Sequence, residues 1–139
     1  MTAHQIAGAL ALLGALAMNS PADAAPATAR LADSAWAGDQ LQLVVHGQGA
    51  HLETGCASGD IEGPLMVAAD GRFTARGTFQ LQRGGPQRAD SQPALRPAAR
   101  YTGEVKEGVM RLEILPDGAA SPEVFTLHKG ARIKLIRCL

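Results

Sequence analysis

From Trp36 onward the chain alternates apolar and polar residues in short runs, broken every 8 to 15 residues by Gly, Pro or Asp. A period of two puts one face of an extended strand in a core and the other in water. In Gln40–Val45 the core face is Leu41, Leu43 and Val45; Gly47-Gln48-Gly49 then turns the chain and Ala50–Cys56 returns it. Ile61–Ala68 is a third run, bent at Gly63-Pro64. Asp70-Gly71 is a two-residue hairpin signal, because such turns need φ > 0 at both positions. The cleanest alternation follows: Phe73, Ala75, Gly77, Phe79 and Leu81 point one way, and Arg72, Thr74, Arg76, Thr78, Gln80 and Gln82 the other. After a long polar connection, Arg83–Ala99, runs resume at Arg100–Val105, Val109–Leu115, Glu123–His128 and Ala131–Leu139.

No segment carries a helical period in this body. The pattern predicts an all-β domain over 36–139, a single antiparallel up-and-down meander of about eight strands. Simple hairpin spacing and the removal of exposed edges favour a small closed or nearly closed barrel; a β-sandwich is the alternative. Gly77 and Gly103 fall on apolar faces, where a crowded barrel interior needs room. Trp36, Phe73, Phe79, Tyr101, Met110 and Phe125 are the expected interior residues, and 25–35 reads as a flexible tail.

The first 24 residues read as a signal peptide. Ile6–Met18 is an apolar run of 13 residues, which as a helix spans about 20 Å against a hydrocarbon core of roughly 30 Å. Asn19-Ser20-Pro21 breaks it, and Ala22-Asp23-Ala24 offers the small residues of a cleavage site, with the cut placed after Ala24. The expected address is secreted or periplasmic, with no membrane span. Outward charges at Arg72, Arg76, Glu104, Arg111 and Glu113 argue against a transmembrane barrel.

Charge and cysteine content narrow the class further. Lys and Arg number 13 against 13 Asp and Glu, so the net charge is zero, and nothing suggests nucleic-acid binding. The two cysteines, Cys56 and Cys138, fit a disulfide in an oxidising compartment that staples early chain to late chain.

The pattern Trp36-Ala37-Gly38-Asp39 ahead of a meander resembles the start of calycin barrels such as lipocalins and avidins. That resemblance implies a first-strand tryptophan packed across the barrel floor against a basic residue, Arg132 or Arg137. The stretch from Trp36 through Gly55-Cys56-Ala57-Ser58-Gly59, Ala99-Arg100-Tyr101-Thr102-Gly103 and Arg137-Cys138-Leu139 is similar to small secreted bacterial proteins without an assigned activity.

Candidate chemistry is sparse. Five serines are present, none in a Gly-x-Ser-x-Gly turn, and no catalytic residues or cofactor are read from the sequence. His46 and His51 flank a predicted hairpin with Glu53 on the His51 face, a set able to hold Zn²⁺ or Cu²⁺. The connection Arg83–Ala99 exceeds the length at which loops inside compact domains are ordinary. Its Arg83, Arg88 and Arg96, with Arg100 beyond, can present guanidinium groups to an anion, a phosphate or a carboxylate. The function expected is a non-enzymatic binding module for a small apolar ligand or a protein partner. A structural envelope protein and a metal-dependent enzyme are the alternatives.

Overall fold

The computed structural model describes residues 28–82 and 96–138. Residues 1–24, read above as a signal peptide, and two loop arginines, Arg83 and Arg88, lie outside these residues. The described chain is all-β, with strands β1 (Ala29–Arg30), β2 (Ser34–Gly38), β3 (Leu41–His46), β4 (Gly49–Thr54), β5 (Ala57–Glu62), β6 (Met66–Val67), β7 (Arg72–Leu81), β8 (Ala98–Lys106), β9 (Val109–Pro116) and β10 (Glu123–Lys129). Eight of them close into an antiparallel barrel, β2-β3-β4-β5-β7-β8-β9-β10, with β10 returning to β2. Setting β6 aside, each barrel strand pairs with the next in sequence, the up-and-down meander that the alternation predicts.

Closure uses a different partner from the one the sequence suggests. Residues 131–138 of the predicted strand Ala131–Leu139 join no ladder, because β10 is already paired on both edges, with β9 and with β2. The eighth barrel strand is instead β2, five residues at the start of the domain. It is joined to β3 by a two-residue turn in which Asp39 (φ 48°) and Gln40 (φ 62°) are both left-handed. The carboxylate of Asp39 accepts the Thr126 amide at 2.7 Å, which ties this turn to β10. At Asp70-Gly71, by contrast, only Gly71 has positive φ (87°). The Gly71 amide donates to Ala68 O at 2.9 Å, so the two-residue hairpin expected there is absent. The run Ile61–Ala68 is divided as well: Ile61 and Glu62 end β5, which begins at Ala57, and Met66–Val67 form β6.

Residues 29–30 and 34–35, within the segment read as a tail, are in strands. Ala29 and Arg30 pair with Val67 and Met66, and Ser34 and Ala35 begin β2. Leu65 beside this small sheet is 1% exposed and belongs to the barrel core, with Leu31 and Val67 packed against it. The pair β1–β6 thus covers the end of the barrel where β3 turns into β4, here the upper end.

The interior is filled by side chains. Leu41, Leu43, Leu52, Tyr101, Met110, Leu112, Ile114 and Leu127 are fully buried, and Trp36, Phe73 and Phe79 nearly so. Phe125 faces the same core but is only half-buried, near the lower end. Leu81, expected inside, is 71% exposed because β7 outruns the barrel at its lower end. A Cβ on Gly103 would fall within the ring of Phe73, so the crowding anticipated at that glycine is real.

The terminal residues form an extended strap on the outside. The Gln42 side chain donates its Nε2 to Ile133 O at 2.8 Å, the Ile136 backbone amide to Gln40 Oε1 at 3.3 Å, and the Cys138 backbone amide to Gly55 O at 3.0 Å. The strap therefore descends across the outer face of β2 and β3 to the lower end. There Cys138 meets Cys56 in the turn after β4, with Cα atoms 5.1 Å apart and sulfurs at disulfide distance. Gly55 is required at this point, since a Cβ would collide with the Ile136 carbonyl.

Candidate functional site

Two groups of polar side chains stand on the outer surface, and barrel register determines both. The first is built around His51 on β4. Register sets His51 between Val44 of β3 and Asp60 of β5. His51 Nδ1 lies 2.7 Å from Asp60 Oδ1 and Nε2 lies 3.3 Å from Glu53 Oε1, so each ring nitrogen faces a carboxylate. The other oxygen of Asp60 accepts from Arg96 at 2.7 Å. The result is a chain Glu53–His51–Asp60–Arg96 laid across β4, β5 and the segment leading into β8. His46 sits outward on β3, opposite Gly49, and takes no part in these hydrogen bonds. Among the described residues no group of three or more His, Cys, Asp or Glu is arranged to hold a metal ion.

The hydrogen bond to Asp60 raises the His51 pKa above the ordinary 6.5, opposed by partial burial and helped by Glu53. A raised folded-state pKa means that protonation favours the fold. The contribution is complete below about pH 6.5 and fades as pH rises through the folded value. All members are substantially exposed, so solvent keeps the effect small. Nuclear magnetic resonance titration should place His51 above an ordinary histidine, and Asp60→Asn should bring it down. A His51 pKa unmoved by that substitution would mean the contact is absent in solution.

The second group lies on β7 and β8. The outer face of β7–β8–β9 opens with a regular charge ladder, Arg72 opposite Glu104 and Glu104 opposite Arg111. Arg111 also binds Glu113 at 2.7 Å. Four residues along β7 the rule breaks, for Arg76 stands directly opposite Arg100. These two, with Arg96, line a cleft of about 410 Å³. Gly77, Ala98, Ala99, Gly118 and Ala119 contribute little or no side chain to its lining, which also includes Glu62 and Asp117. Among the described residues neither Arg76 nor Arg100 has a carboxylate within ion-pair distance.

Two of the loop arginines singled out in the sequence, Arg96 and Arg100, are thus brought to one cleft. Arg76, which alternation alone places among the outward charges, joins them. The register of β7 on β8 is the signal that finds it.

Inside the barrel, Tyr101 donates its hydroxyl to Thr78 O at 2.5 Å. Burial, aided by the charge of Asp60, pushes its pKa far up, so it stays a neutral donor. Trp36 donates its indole N–H to Ser34 Oγ at 2.9 Å, while Arg132 and Arg137 are exposed on the strap.

Fold and surface together define a closed eight-stranded up-and-down barrel with a packed interior and, among the described residues, no buried charged group. The chain matches no protein-family model, no curated protein and no solved structure.

Proposed function

We propose that the mature chain is an exported, non-enzymatic β-barrel that binds its partner or ligand on the outside of the barrel. The observation that carries this reading is the filled interior. Eight strands enclose barely more than their own side chains, and here Phe73, Phe79, Tyr101 and Met110 occupy that volume at 6% exposure or less. An apolar carrier of this size needs an emptied core. The outer surface offers more, in a cleft whose volume lies within the usual range for ligand sites.

Export is supported by the cysteine pair and by the form of residues 1–24. A disulfide joining positions 82 apart persists in an oxidising compartment and is rare in the cytosol. The structural-envelope alternative draws on no particular observation, whereas a packed core beside an open, charged cleft favours binding.

Mass spectrometry of the protein recovered from its own periplasm or medium tests the reading. The expected chain begins at Ala25, weighs two hydrogens less than its reduced form, and under native conditions carries no apolar small molecule. An apolar ligand retained through native spraying would move the site into the core and overturn outside binding. Free thiols would overturn the oxidising address.

A further inference from the structure

We infer that the cleft between β7, β8 and the β9–β10 turn is a binding site for a small hydroxylated oxyanion, a phosphate or carboxylate group on a polyol body, with the anionic head held between Arg76 and Arg100. This rests on the outside-binding reading and gives it a ligand class.

Like charges directly opposite on adjacent antiparallel strands repel and cost stability, and residues in such pairs have Cβ atoms only about 5 Å apart. The neighbouring positions show how this surface otherwise handles charge, with Arg72, Glu104 and Arg111 alternating in sign across three strands. Arg76 and Arg100 are the exception, and they sit where the surface is hollow. Guanidinium groups on a pair of adjacent strands form a fork that an oxyanion can bridge with charge-assisted hydrogen bonds. The bound anion converts a repulsive pair into an attractive triad.

Arg96 does not compete for the head, because its guanidinium is held by Asp60. It closes the side of the cleft nearest β5 instead. The carboxylates of Glu62 and Asp117 line the same cleft and fix the rest of the ligand. They repel a second anionic group and accept hydrogen bonds from hydroxyls, which selects one charged head on a hydroxylated body. Gly77, Ala98 and Ala99, with little or no side chain, leave room for that body.

The test uses the mature oxidised protein, ¹⁵N-labelled, with glucose 6-phosphate as probe and glucose and inorganic phosphate as comparisons at low ionic strength. Glucose 6-phosphate should shift the arginine Nε–Hε signals of Arg76 and Arg100 and bind more tightly than phosphate, and glucose should not bind. Arg76→Ala and Arg100→Ala should each weaken binding about tenfold, the scale of one charge-assisted contact, whereas Arg72→Ala and Arg111→Ala should leave it unchanged. Without ligand, Arg76→Ala should melt no lower than the wild type, since it removes a repulsion. Binding that survives both substitutions, or shifts confined to other arginines, overturns this site but leaves outside binding standing. Silence to both phosphates overturns the oxyanion assignment. The wider reading fails separately, by an apolar molecule found in the core.

Discussion

Replacing Cys138 with serine should lower the melting temperature by roughly 10–20 °C and leave the far-ultraviolet β signature of the barrel intact. The cross-link spans 82 positions, and closing a loop of that size in the unfolded chain is worth about 4–5 kcal/mol in the chain-entropy model. The signature survives because residues 131–138 belong to no barrel ladder. Their backbone touches the barrel through a few hydrogen bonds to Gln42, Gln40 and Gly55. Cys56→Ser should give the same shift, and the double variant no more than either single one, because only one bond is lost. Calorimetry of the three variants checks both points. An unchanged melting temperature would mean that the cross-link constrains little of the unfolded chain. A lost β signature would mean that the strap is integral to the barrel.

That strap also marks the limit of what alternation can reveal. Ala131, Ile133 and Leu135 do alternate in exposure with Arg132 and Lys134, as a strand would. Period two reports an extended segment with one face covered, and the covering here is the outer wall of the barrel rather than a neighbouring strand. The opposite error occurs at β2. Ser34–Gly38 holds one large apolar residue, Trp36, and its turn is Asp39-Gln40 instead of a glycine-bearing pair. Alternation alone announces no strand there; only the resemblance drawn on Trp36-Ala37-Gly38-Asp39 implies one, and closure of the barrel demands it.

The same distinction separates the legible part of the candidate site from the rest. The long polar connection marks Arg96 and, just past its end, Arg100. The partnership of Arg76 with Arg100 was invisible, because register across a long connection has no turn chemistry to set it. Only the barrel fixes which residue of β7 meets which of β8. For the same reason His51 was legible as one of a histidine pair with Glu53, but its strongest contact is with Asp60, across the β4–β5 ladder.

Phe73 and Gly103 provide the clearest test of how tightly the interior is filled, and hence of why ligands are excluded from it. Phe73 is 4% exposed and its ring occupies the space a side chain at Gly103 would need; the two residues are opposite one another on β7 and β8. Phe73→Ala removes the ring and leaves a void that the closed barrel cannot collapse around, at a cost of about 3–5 kcal/mol. Gly103→Val alone forces valine methyls into the Phe73 ring and should cost about 1–3 kcal/mol. Combined, the valine enters space the ring has vacated, so the double variant should be more stable than the sum of the two losses by about 1 kcal/mol or more. Chemical denaturation of the four proteins closes the cycle. Additive losses would show that the two positions do not share one volume, and the interior would then have slack enough to reopen the question of a ligand inside it.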